Sequence, residues 1–188
     1  MAVYTAMQIN KKYIKQLKQG DSTVQKMVFD GLFSKMFRVC LRYIVRTDEA
    51  EDCVMKGFLK AFQQMELFEY QGADSFVYWL KRIMVNEALM ALRKQNNFNM
   101  VALDQIPEVS FDDDALQQIE ANYLFDAIVL LPTGYRTVLN MFVVEGYSHQ
   151  EIAKTLGISE STSKTQLLKA KAKLQQVITQ RKYGYGNA

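Results

Sequence analysis

Residues 146–174, GYSHQEIAKTLGISESTSKTQLLKAKAKL, restrict the possible folds more than any other stretch of this chain. Ser148 stands three residues before Glu151, the spacing at which a hydroxyl and a carboxylate satisfy each other's unpaired backbone donors, so a helix opens near Ser148. Ile152, Ala153 and Leu156 give that helix an apolar stripe, and Gly157 can take the positive φ that ends it. Ile158 plugs the turn, and Ser159 is a second N-cap. From there Ser163, Leu167, Ala170 and Leu174 fall at helical steps and make one inward face. The opposite face carries Ser161, Thr162, Lys164, Thr165, Lys169, Lys171 and Lys173. Two short capped helices joined by a tight turn form a helix-turn-helix, and hydroxyls with ammonium groups suit base edges and phosphates in a major groove. A charge run alone is ordinarily a solvated helix face; two caps and a turn glycine in register argue against that here. His149 is expected as an exposed first-turn residue.

Charge divides the rest of the chain. Residues 1–98 hold 15 Lys+Arg against 10 Asp+Glu, residues 99–134 hold none against 7, and residues 135–188 hold 8 against 3. Two basic modules therefore flank an acidic connector. The connector opens with an Asn run, Pro107 and the cluster Asp112 to Asp114, which argue against regular structure until about Ala115. Ile119, Tyr123, Leu124, Ala127 and Ile128 then recur at helical spacing up to Pro132, and another helix starts near Tyr135. With 49% hydrophobic residues, 9 Gly and 2 Pro, the fold class is all-α, in two small helical domains joined by a flexible acidic linker. The expected divisions are an extension at 1–23, a first domain at 24–97, the linker at 98–115, a second domain at 116–180 and a tail at 181–188.

The first domain reads as an apolar helix, or two, over Val24 to Val45, then a helix opened by the pair Asp48 and Glu51 and running through Phe62. Glu66 to Ala73 is an aromatic-bearing loop pivoting on Gly72, and Asp74 or Ser75 caps the next helix. Phe76, Trp79, Leu80, Ile83 and Met84 form that helix's apolar side; Lys81, Arg82, Asn86, Arg93 and Lys94 form its other side. Rings beside cations and amides suit unstacked single-stranded bases, although core packing is the ordinary use of such rings.

Cys40 and Cys53 lack metal-ligand spacing and are expected as buried free thiols, and one histidine leaves no basis for a metal cluster or a nucleophile-base pair. No apolar run reaches the length of a membrane span, and residues 1–19 lack a signal-peptide pattern, so the expected location is cytoplasmic, without membrane insertion.

From about Val24 to Ile178 the chain resembles the extracytoplasmic-function (ECF) group of bacterial sigma factors, within the sigma-70 family. The matching pieces are TDEAEDCVMKGFLKAF, SFVYWLKRIMVNEALMALRK and LPTGYRTVLNMFVVEGYSHQEIAKTLGISESTSKTQLLKAKAKL, in that order. The resemblance implies a promoter-specificity subunit of RNA polymerase with no catalytic site, cofactor or metal. Region 2 would bind core polymerase through Glu51, Asp52, Met55, Lys56 and Phe58. It would hold a flipped base of the −10 element among Tyr70, Gln71, Gly72, Asp74, Trp79, Arg82 and Asn86. Region 4 would read the −35 element with Ser161, Thr162, Lys164 and Thr165, anchored on phosphates by Arg136 and Lys169. Implied partners are core RNA polymerase, promoter DNA and an anti-sigma factor, membrane-anchored in many members. The chain departs from the family pattern at Met55 and Lys56, where a Gln-acid pair is usual, at Met90, and at Ser163, Gln166 and Lys169 in the recognition helix. A competing assignment is a helix-turn-helix repressor or response-regulator output protein acting without core polymerase. It would need a receiver or ligand-binding module upstream, and residues 1–98 show helices only.

Overall fold

A computed structural model describes residues 9–94 and 124–184, with side chains through residue 179. The described residues are helical with no strand, and the chain divides into two compact units between Ala91 and Leu92. The expected linker at 98–115, and the start of the second domain at 116, lie outside the described residues.

The first unit contains α1 (Lys11–Lys18), α2 (Ser22–Leu41), α3 (Thr47–Gln63), a 3-10 turn (Met65–Leu67) and all but the last three residues of α4 (Ser75–Lys94). Side-chain caps fix the first two helix starts. Asn10 Oδ1 accepts from Lys12 N and Tyr13 N at 3.0 and 3.1 Å, and Asp21 Oδ1 does the same for Thr23 N and Val24 N. Residues assigned from sequence to an extension thus include a formed helix whose Ile14 and Leu17 are buried, with Ile9 just ahead of them. Val24 to Val45 yields one helix to Leu41 rather than two.

The start of α3 differs from expectation. Its N-cap position is Arg46, which makes no side-chain cap, and Asp48 lies inside the first turn, where its carboxylate takes the Arg46 guanidinium at 2.7 Å. That pairing holds the Asp48 carboxyl below its usual range, the hydrogen bond to Arg46 being the main cause. The buried face of α3 includes the small residues Ala50, Gly57 and Ala61. They permit close approach: a Cβ at Gly57 would overlap Met84 Sδ of α4. Phe76, Leu80, Met84 and Ala88 repeat at four-residue steps and carry α4 into the core.

The second unit comprises α5 (helical over 124–129), α6 (Thr133–Leu139), α7 (His149–Leu156) and α8 (Glu160–Gly184). The end of α6 widens into a π turn over Asn140–Val144, where Glu145 N donates to Asn140 O at 3.0 Å. Helix α8 runs into the segment expected as a tail, since 181–184 continue it.

Candidate nucleic-acid interface

The helix-turn-helix is built by reciprocal capping. Ser148 Oγ accepts from Glu151 N at 3.2 Å while Ser148 N donates to Glu151 Oε2 at 2.8 Å. Gly157 closes α7 at φ +68°, and Ser159 Oγ accepts from Thr162 N at 3.0 Å to open α8. Ser163, Leu167 and Ala170 are buried, so the opposite face of α8 is turned outward by the same period. Ser161, Lys164, Thr165 and Lys169 are exposed; Thr162 is half-buried, its hydroxyl 2.8 Å from that of Ser159. Lys164 is held by Glu160 at 2.7 Å, an exposed pair that a phosphate can displace. Leu168, 70% exposed, stands on the same line as Ser161, Lys164 and Thr165 and was missed by polarity-based reading. An apolar group there suits a thymine methyl.

Burial corrects one expected contact and one expected exposure. Arg136 is only 5% exposed, and its Nη1 donates to Leu131 O at 2.7 Å and Val129 O at 3.2 Å. It ties the end of the preceding helix to α6 and is not available as a phosphate anchor. His149 is half-buried, not exposed: its ring stacks on Phe142 with centroids 4.5 Å apart, and Nδ1 lies 2.9 Å from Ser163 Oγ. It joins α7 to α8 at the buried serine.

In the first unit, the segment after the 3-10 turn is anchored by buried Phe68 and closed by Ser75. Ser75 Oγ donates to Gly72 O at 2.7 Å and accepts from Gln71 N at 3.2 Å, while Gly72 sits at φ +124°, a conformation few other residues adopt. This brings Gln71, Gly72 and Asp74 onto one turn. Trp79 is half-buried, its ring 5.1 Å from Phe68 and 5.8 Å from Phe76. Tyr70 is half-buried, with Lys11 Nζ 5.8 Å from its ring centroid. Arg82 and Asn86 are exposed along α4 on the line begun by Tyr78, itself 68% exposed and not singled out from sequence.

On α3, Glu51 is exposed and Asp52 pairs with Lys56 at 2.6 Å. Met55 and Leu59 are 54% and 59% exposed at a spacing of four, which makes an apolar strip beside that pair; Leu59 was missed. Phe58 departs from expectation: it is buried, its ring centroid 4.9 Å from that of Phe29 and 5.9 Å from that of Phe62, so it is core and cannot meet a partner.

Among the described residues no group of His, Cys, Asp or Glu could hold a metal, and no helix is long and apolar enough to cross a membrane. Cys40 and Cys53 are free and buried; burial pushes the Cys53 thiol up to about 11 and Cys40 further in the same direction.

A family model described as Sigma-70 region 2 matches residues 31–98, and one described as Sigma-70, region 4 matches 121–174. The chain is 29% identical over 170 residues to the ECF RNA polymerase sigma factor SigW of Bacillus subtilis, covering 84% of this chain and 90% of that one. It is 30% identical over 158 residues to ECF RNA polymerase sigma factor SigM of Mycobacterium tuberculosis, covering 81% and 78%. Among solved structures, the sigma factor RpoE of Bartonella quintana, in complex with the anti-sigma factor NepR, shares the fold. Its TM-score is 0.52 at 20% identity, over 82% of this chain and 96% of that one.

Proposed function

The chain belongs to the sigma-70 family, in its ECF group, and on that premise we propose that it is a promoter-specificity subunit that binds core RNA polymerase, recognises −35 and −10 elements and promotes melting. The observation that carries this is the division of chemistry between the two units. One outward helix face offers hydroxyls and ammonium groups behind a helix-turn-helix, as duplex recognition needs. The other unit offers half-buried rings, a glycine turn at positive φ and an exposed arginine and asparagine, as unstacked bases need.

In this mechanism Ser161, Thr162, Lys164, Thr165 and Leu168 face the −35 bases, and Lys169 neutralises a phosphate. Tyr70, Gln71, Gly72, Asp74 and Trp79 surround an extruded −10 base, with Arg82 and Asn86 along the strand. Extrusion costs a few kcal/mol, and stacking returns about 1–3 kcal/mol per base. Melting is then driven by preferential binding of the open strand, and the chain itself performs no catalytic step. Glu51, Asp52, Met55, Lys56 and Leu59 meet core polymerase. Polymerase holds both units at once, which turns two weak DNA contacts into one strong one. The protein works in the cytoplasm, restrained by an anti-sigma factor.

The test is transcription by core RNA polymerase from the source organism over a genomic fragment library, with and without the protein. New start sites sharing upstream elements are expected. No start sites, with sequence-specific DNA binding by the protein alone, would transfer the assignment to a repressor or output protein. Pull-down from membranes of uninduced cells is expected to recover an anti-sigma partner.

A further inference from the structure

His149 is the chain's one histidine, and its surroundings give it a use beyond joining two helices. Phe142, inside the π turn, stacks on the ring with planes 23° apart, and Nδ1 lies 2.9 Å from Ser163 Oγ. Ser163 is wholly buried and is one of the positions at which the recognition helix departs from the family pattern. Ser163 and Lys164 both lie one turn beyond Glu160, at i+3 and i+4. The ring held at Ser163 is therefore brought toward the Glu160 carboxylate, which takes Lys164 Nζ at 2.7 Å. On its own helix the ring has Glu151 nearby, whose carboxylate is committed to Ser148 N and Oγ at 2.8 and 2.7 Å; on the side of the π turn the charged residue is Glu145, four residues ahead.

We infer that His149 is a positioning residue for −35 recognition: held by Ser163, it brings a proton-dependent charge to Glu160 and so sets how much of Lys164 is free for DNA. The inference rests on the assignment of α8 to the −35 element. Histidine is the side chain whose charge ordinarily changes near neutral pH. In a neutral ring Nδ1 either donates to the Ser163 hydroxyl or accepts from it; in the cation it only donates, so the bond exists in both states and the ring keeps its place. Stacking on Phe142 also persists, because an aromatic face attracts a cation. Protonation therefore changes the charge and not the packing. A cationic ring competes with Lys164 for a single carboxylate, and that carboxylate stays ionised across the range. The hydrogen bond from Lys164 is the main cause that holds the Glu160 carboxyl below its usual range, and the charge of His149 adds to it. Shared between two cations, Glu160 releases Lys164 to a phosphate or base edge more readily. Affinity for the −35 element then rises as pH falls through neutrality, with Glu160 as the required intermediary. A direct contact between His149 and a phosphate would have the same sign and would not need Glu160.

The test compares the full-length chain with four variants, folding being checked by circular dichroism. His149→Phe keeps a ring against Phe142, His149→Asn keeps a hydrogen-bonding group near the Nδ1 position without the charge, and Ser163→Ala and Glu160→Gln remove the two partners. In the free chain, the Glu160 carboxyl is titrated by carbon-13 NMR. Its midpoint is expected to rise in His149→Phe; an unmoved midpoint overturns the inference. A second arm uses holoenzyme on promoters recovered from the transcription library and reads the ratio of affinities for an intact and a scrambled −35 element at pH 8 and pH 6. The wild-type ratio is expected to rise about two- to five-fold toward pH 6, the range that one exposed ion pair commands. Both His149 variants should be flat, the Asn variant keeping the wild-type ratio of pH 8. Ser163→Ala should respond less, and Glu160→Gln should be high and flat. A response that survives Glu160→Gln makes His149 a direct phosphate contact and overturns the route proposed; a full response in Ser163→Ala overturns the role of the serine. A ratio above one that ignores pH in the wild type sinks the inference alone. A ratio of one at both pH values in every chain sinks the −35 assignment, and the inference with it.

Discussion

The two units use their side chains in opposite ways. In the second, the residues that would meet DNA and those that hold the fold lie on opposite faces of α8: Ser163, Leu167 and Ala170 are buried, and Ser161, Lys164, Thr165 and Lys169 are exposed. In the first, one residue type serves both purposes. Phe68 and Phe76 are buried, while Trp79 is half-buried against both of their rings. A surface separated by helical period can change without touching the core. A surface that is the rim of an aromatic core cannot.

The largest expected effect breaks the first unit through that shared cluster. Phe76→Ala removes a fully buried ring that packs against Phe68 and Trp79, and should cost about 3–5 kcal/mol. The chain's one tryptophan sits in that cluster, so urea unfolding followed by its fluorescence reports on this unit. Retention of the wild-type midpoint would mean that the aromatic rim is supported from elsewhere.

Next is Arg136→Met, which separates fold from DNA contact in the second unit. If the guanidinium holds the Val129 and Leu131 carbonyls, the substitution leaves both unpaired and destabilises by about 1–3 kcal/mol. A phosphate anchor would instead lose DNA affinity at unchanged stability. Thermal unfolding by circular dichroism, beside a binding titration, decides between them.

These cases show what the sequence could disclose. The helix-turn-helix was legible because its signals are local: Ser148 with Glu151, Gly157 and Ser159 act through backbone groups within four residues. The all-helical character and the expectation of two units were legible through period and charge. What was not legible depends on a second element. Phe58 and Leu59 are adjacent, and only the packing of α2 against α3 decides that Phe58 goes inward and Leu59 outward. Arg136 reads as a surface cation until the carbonyls that end the preceding helix are seen around it. His149 is drawn in by Phe142 and Ser163, the latter fourteen residues away. Helix α1 hides behind its lysines, since two buried apolar residues in eight make a weak pattern.

Smaller effects sharpen the contrast. Ser148→Ala removes one half of a capping box and should cost about 1 kcal/mol, with lost amide protection in the first turn of α7. The first unit has no counterpart at α3, whose N-cap Arg46 makes no side-chain cap. Its alkaline response lies in part in its thiols. Cys53 is raised by burial from 9.0 to about 11, so the unfolded chain releases that proton first. The stability of the neutral buried thiol is therefore complete below pH 9.0 and is lost as pH rises toward about 11, a fall that Cys53→Ala should reduce in urea midpoints while the contribution of Cys40 remains.

The smallest expected effect lies on the recognition helix and tests whether its two faces are truly independent. Glu160 and Lys164 pair at 2.7 Å with both side chains at least half exposed, and the hydrogen bond from Lys164 holds the Glu160 carboxyl below its usual range. The carboxylate therefore stays ionised through neutral pH and competes with DNA for the ammonium. Lys164→Ala should weaken −35 binding and flatten its log-log salt dependence by about 0.9, one duplex phosphate's worth of counterion release. Glu160→Gln should do the reverse to affinity, because it frees Lys164 and removes a like charge facing the phosphates. Neither substitution touches a buried residue, so both should leave the unfolding midpoint nearly where it was. A midpoint shift as large as that of Ser148→Ala would show that the outward face of α8 also holds the fold, and the division of labour drawn between the units would fail on its own ground.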